Sequence, residues 1–201
     1  MHPIYRKTTP RVKRGKVQRK NRWSPTPTCF NTPQPYPSVV RRKPGFGYRH
    51  VLRKDDVERF IRLLPDWNEL SKGLNAIVLA AGDCSLHGWQ RRGIVAVCAW
   101  DRELWQETDS CWYEHHRAVF SQIGVPCEPT DDGNVFCDWT ESKIRAFQLT
   151  HILLHELGHH HDCMTTRSKR WASRGEEYAE RYAIEYAALI WDRFLHEFGS
   201  P

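Results

Sequence analysis

The sequence predicts an α+β fold: a small, mainly antiparallel sheet packed on a buried helix and on a C-terminal closing helix. Three observations carry that expectation. Two short apolar runs, "NAIVLAAG" (75–82) and "GIVAVCAW" (93–100), have strand length and β-branched content. Residues 140–161 are apolar around most of a helical circumference through Ile144, Phe147, Leu149, Ile152, Leu153, Leu154 and Leu157, which marks a buried helix. Residues 174–198 then place Ala179, Ala183, Ala187 and Ile190 on one stripe of a long closing helix.

The chain divides by charge. Residues 1–54 hold fifteen Lys and Arg and no Asp or Glu, and eight of the twelve prolines fall before residue 45. Such a segment cannot bury enough apolar surface to offset its ordering entropy. We therefore expect residues 1–47 to be a disordered basic Pro-rich arm and 48–201 to be the folded domain. The rest of the chain, with fifteen basic and twenty-four acidic groups, is acidic. A run such as "RVKRGKVQRK" suits nucleic-acid phosphates or an acidic partner, with a plain solvated tail as the bland reading, so the partner surface is expected on residues 1–54.

Within the domain, "KDDVERFIRLL" reads as a short helix with Asp55 as its cap and Glu58 three residues on. "HGWQRRG" carries turn residues, so the runs at 75–82 and 93–100 are expected to pair as an antiparallel hairpin. "CWYEHHRAVFSQIG" (111–124) has helical spacing and a glycine stop, and "VFCDW" is a third short strand. Seven scattered cysteines without a C-x-x-C pair, and no export signal, indicate mostly reduced thiols in a cytoplasmic protein. Cys127 and Cys137 flank a turn and can face each other across a hairpin. No apolar run is long enough for a membrane span.

"THILLHELGHHHDCM" (150–164) holds five of the eleven histidines. His155, Glu156 and His159 form H-E-x-x-H. The two imidazoles lie about 40° apart and one turn along, a placement that can hold one Zn2+ ion. Glu156 can reach a reacting water as general base without ligating. His151 shares their stripe, but about 12 Å of helix separates it from His159, so one ion cannot take all three. His160 and His161 turn away, toward the helix end or solvent. The bland alternative is a buried helix that happens to be rich in His. Against it stand the cost of burying two imidazoles and a carboxylate without partners, and Gly158 at mid-helix, which implies a close backbone approach.

The third ligand must come from elsewhere. Cys163 would need the chain to fold straight back on itself. In "GEEYAERYA", Glu176 and Glu180 lie one turn apart on one face, so Glu176 is expected as ligand and Glu180 as its supporting group. Two rivals stay open: a Ser173–Glu176 capping box, which would occupy Glu176, and Glu177 as ligand instead.

"HILLHELGHHHD" followed by "EEYAERYA" resembles the gluzincin-type zinc metallopeptidases, most nearly the minimal ImmA/IrrE-like group with its H-E-L-G-H helix and later E-x-x-A-x-x-F-A helix. The resemblance spans residues 140–190. It implies a zincin-like fold, His155, His159 and Glu176 as Zn2+ ligands and Glu156 as base; Tyr182 takes the usual Phe position. The expected activity is peptide-bond hydrolysis, on a protein or peptide substrate whose identity the resemblance does not carry over. After Ala183 the sequence departs from the family, continuing "IEYAALIWDRF". Tyr178, Tyr182, His160 and His87 are the candidate donors to a developing oxyanion. The contrasting expectation is a non-catalytic zinc module recruited to its partner through the basic arm.

Overall fold

The computed structural model of the chain describes residues 12–17, 28–30, 32–166 and 173–201. Residues 1–11, 18–27 and 31 of the expected arm, and 167–172 of the polar loop, lie outside the described residues. The chain folds as a mixed α and β protein with small sheets and helices.

The folded part begins earlier than residue 48. Strands β1 (Val12–Lys13) and β2 (Lys16–Val17) pair as a minimal hairpin. More consequentially, β3 (Ser38–Arg41) is an edge strand of the main sheet, Arg42 N donates to the Leu79 carbonyl at 2.9 Å, and Gln34 N donates to Asn75 Oδ1 at 3.0 Å. "SVVR" is a short β-branched run whose signal is lost when composition is averaged over the surrounding basic, proline-rich residues.

β4 (Tyr48–Arg49) leads into α1 (Lys54–Ile61), where Asp56 rather than Asp55 holds the entry turn by accepting from Arg53 N at 2.8 Å. A single turn, α2 (Trp67–Leu70), precedes β5 (Ala76–Ala80). The expected turn region contains a strand, β6 (Gly88–Arg91), joined to β7 (Ile94–Cys98) through Arg92 and Gly93, both at positive φ as a tight hairpin demands. The sheet order is β3-β5-β7-β6: β3, β5 and β7 run parallel, and only edge strand β6 is antiparallel. The expected antiparallel pairing of 75–82 with 93–100 is thus replaced by a parallel one. Ile77 and Leu79 face the main core while Ala76, Val78 and Ala80 face a smaller cluster on the other side. Burial on both faces is the environment of parallel strands, and the unbroken apolar runs reflect it.

β8 (Trp100–Asp101) pairs with β4, and β9 (Trp105–Asp109) leads to α3 (Ser110–Ile123), capped by the Asp109 carboxylate accepting from Trp112 N and stopped by Gly124 at φ 76°. β10 (Cys127–Pro129), β11 (Asn134–Asp138) and β9 form a second, antiparallel sheet. Cys127 and Cys137 are register partners there and both are free thiols. α4 (Glu141–Phe147), a π-helical segment (148–153) and α5 (Leu154–Thr165) make one continuous buried helix. Helix α6 (Gly175–Phe198) closes the molecule. No helix among the described residues is long and apolar enough to cross a membrane.

Candidate metal centre

Two helices build the site. α5 presents His155 and His159 one turn apart, and the first turn of α6 brings Glu176 across to them. Their contact is set at Gly158, where an added Cβ would lie 2.9 Å from Ala179 Cα and 3.2 Å from the Ala179 carbonyl. No larger residue lets α6 come so close. The start of α6 is tied down by the buried Asp162 carboxylate, which accepts from Arg174 N at 2.7 Å and Arg174 Nε at 2.9 Å. Arg174 is the N-cap residue and makes no side-chain cap, so the Ser173–Glu176 capping box does not form. Glu176 points instead at the two imidazoles.

The geometry is tight. His155 Nε2 and His159 Nε2 are 3.1 Å apart, and Glu176 Oε2 lies 3.1 Å from the first and 3.3 Å from the second. His155 Nδ1 is 3.2 Å from Glu180 Oε2. A carboxylate can only accept, so that ring nitrogen carries the proton and donates. His155 Nε2 is then a lone pair aimed at the Glu176 oxygen. Lone pairs at 3.1 Å repel unless a second proton or a cation lies between them. Burial by itself lowers the His155 pKa, but the Glu180 hydrogen bond and the Glu156 and Glu176 charges outweigh it and raise the value. His159 is lowered, chiefly by burial and by the neighbouring His155. Tetrahedral zinc, at about 2.0–2.1 Å from each ligand, sets its ligand atoms about 3.3–3.4 Å apart. The observed triangle matches that spacing, so the donor set fits zinc.

Glu156 faces the same cleft, of about 1040 Å³, and burial pushes its pKa up to about 7, with Glu176 adding to the rise. Edge strand β6 passes close beside it: a Cβ on Gly88 would sit 2.7 Å from Glu156 Oε1. The residues around Gly88 read locally as a turn, yet the segment is a strand, and a glycine within a strand is itself the sign of a close approach.

The other candidates separate cleanly. Glu177 borders the cleft but lies outside the His155–His159–Glu176 triangle. Tyr182 is 7% exposed and packs in the core, stacked on Tyr186 with ring centroids 4.5 Å apart, so it does not serve the site. Tyr178 bonds His161 Nδ1 through its hydroxyl at 2.6 Å, and His160 Nε2 donates to the Lys72 carbonyl at 2.9 Å. His160 is therefore a buried structural tie and not a solvent-facing helix end. Cys163 is buried with Sγ 4.0 Å from Gln90 Oε1. Of the four proposed oxyanion donors only His87 lines the cleft, and burial pushes it down to about 4. His115 and His116 of α3 also line the cleft, and no spacing in the sequence connects them to residues far along the chain. His151 lies in the π-helical segment beside His155, with ring centroids 6.2 Å apart, and groups with His116 and Glu180.

No protein-family model, curated protein or solved structure matches the chain.

Proposed function

We propose that the chain is a zinc-dependent metallopeptidase with a zincin-like architecture. The observation that carries the reading is the convergence of His155 Nε2, His159 Nε2 and Glu176 Oε2 at 3.1–3.3 Å, with Glu156 beside them. His155, His159 and Glu176 would hold the ion, and Glu180 would fix the His155 tautomer through Nδ1. Zinc, when bound, supplies a Lewis acid that polarises a carbonyl and lowers the pKa of water to about 7.

The chain's own groups do the rest. Glu156, its pKa near neutrality, takes a proton from the attacking water and hands it to the departing amine. Of the four candidate oxyanion donors, neutral His87 is the one that lines the cleft. A peptide is favoured as substrate because β6 is the last strand of its sheet and Gly88, Trp89 and Gln90 line the cleft. An extended chain can add there as a further strand, taking its affinity from main-chain hydrogen bonds.

The test compares wild type with Glu176→Ala and Glu156→Gln for zinc content and for cleavage of an unfolded protein substrate. Glu176→Ala is expected to lose the ion held with His155 and His159. Glu156→Gln is expected to keep it while hydrolysis falls by about 10²–10⁴. Full cleavage by Glu156→Gln would refute the mechanism. Zinc retained with no cleavage by any form, wild type included, would leave the alternative, a non-catalytic metal module.

A further inference from the structure

We propose a second divalent-cation site, formed by His116, His151 and Glu180 on the far side of the His155 ring from the first triangle. One ligand atom from each of the three lies within 4.8 Å of the others.

The local hydrogen bonding favours an ion. His116 Nδ1 is 2.8 Å from the Trp112 carbonyl, so it must carry the proton and donate, which leaves Nε2 as a bare lone pair. A backbone carbonyl holding one ring nitrogen is the usual partner of an imidazole whose other nitrogen ligates a metal. His151 Nε2 lies 3.6 Å from Glu180 Oε2, too long for a hydrogen bond but near the roughly 3.3–3.5 Å between ligand atoms around zinc. Glu180 already accepts from His155 Nδ1. A carboxylate has two oxygens and about four lone-pair directions, so that bond does not exclude ligation.

The backbone adds a second observation. His151 sits within the π-helical segment 148–153 between α4 and α5. One-turn π segments are rare and concentrate at functional sites, where the extra residue re-aims side chains. Here His151, within that segment, meets His116 of α3 edge to face, with ring centroids 5.0 Å apart. Both histidines are buried, at 9% and 2% exposure, yet all three residues border the open cleft, which gives an ion a route in. Two imidazoles and one carboxylate select zinc, cobalt or nickel over magnesium or calcium. The site does not depend on the first triangle being catalytic.

The experiment is equilibrium dialysis of the full-length protein against Zn2+, followed by elemental analysis. Counts are read as differences between variants, so that ions on surface thiols cancel. His116→Asn keeps a donor for the Trp112 carbonyl and removes the ligating nitrogen. It is expected to hold one ion fewer than wild type, His159→Ala one fewer, and the double variant two fewer. An undiminished count in His116→Asn overturns the second site. Loss in His159→Ala alone leaves the first triangle standing without it; loss in His116→Asn alone keeps the second site and removes the proposed peptidase centre. Should His116→Asn not fold, Co2+ titration decides, made on wild type and on His159→Ala, which lacks a ligand of the first triangle. Visible d–d absorption that still grows through one equivalent in His159→Ala supports the second site, and its absence there overturns it.

Discussion

Asp162 is fully buried, and its partner is a cation: Arg174 bonds it through both backbone N–H and guanidinium. Burial pushes its pKa up, but the Arg174 hydrogen bonds and charge outweigh burial and hold it below the usual 3.8. A carboxylate whose folded pKa lies below its unfolded one contributes stability above the unfolded value and loses it as pH falls through the folded value. Asp162→Asn is therefore expected to cost about 1.5–3 kcal/mol at pH 7. The gap to wild type should narrow steadily below about pH 3.8, as read from urea unfolding midpoints across pH. A gap independent of pH would mean that the charge is not what matters.

At the scale of elements, the α5–α6 contact governs the site because it determines where Glu176 falls. In an isolated helix, Gly158→Ala would gain about 1 kcal/mol. Here the new methyl group meets backbone atoms of Ala179 at 2.9 and 3.2 Å, which cannot rotate away. We expect a net loss of about 1–3 kcal/mol together with weaker zinc retention, measured by thermal unfolding and by competition with a chromogenic chelator. Unchanged zinc affinity would show that the spacing of the two helices is not critical for Glu176. The histidines of the central helix fall into two groups at the same scale: the rings of His151 and His155 are neighbours at 6.2 Å, but His151 meets His116 and Glu180 whereas His155 meets His159 and Glu176.

For the whole molecule, the position of β3 makes truncation informative. A chain beginning at residue 48 lacks an edge strand that pairs with β5 over four residues, whereas one beginning at residue 32 keeps it. The longer form is expected to unfold at the wild-type temperature and the shorter one several degrees lower, as followed by circular dichroism. Metal should also act globally. Zinc at a hundred times its Kd adds about 2.7 kcal/mol. For a protein of this size, that raises Tm by roughly 5–11 °C, and a chelator should reverse it. No shift in wild type, or an equal shift in Glu176→Ala, would contradict binding at the first triangle.

The shared face of His155 and His159 was legible because helical periodicity converts spacing directly into direction, and a local rule needs no knowledge of the rest of the fold. The buried helix, the closing helix and the glycine stop after α3 were legible for the same reason. Strand direction was not. Whether 76–80 and 94–98 run parallel depends on β6 folding back onto the far side of β7, which no local pattern of apolar residues specifies. That Glu176 rather than Glu177 meets His155 and His159 follows from the packing of α6 on α5 at Gly158. His116, His151 and Glu180 lie 35 and 29 residues apart along the chain, on separate helical elements. Their meeting is a product of packing α3 and α6 against the central helix. The sequence by itself determined which side chains can share a helix face, because that face follows from a rotation per residue. Only the tertiary structure decided which faces meet, because burial of apolar surface brings together elements that no local spacing connects.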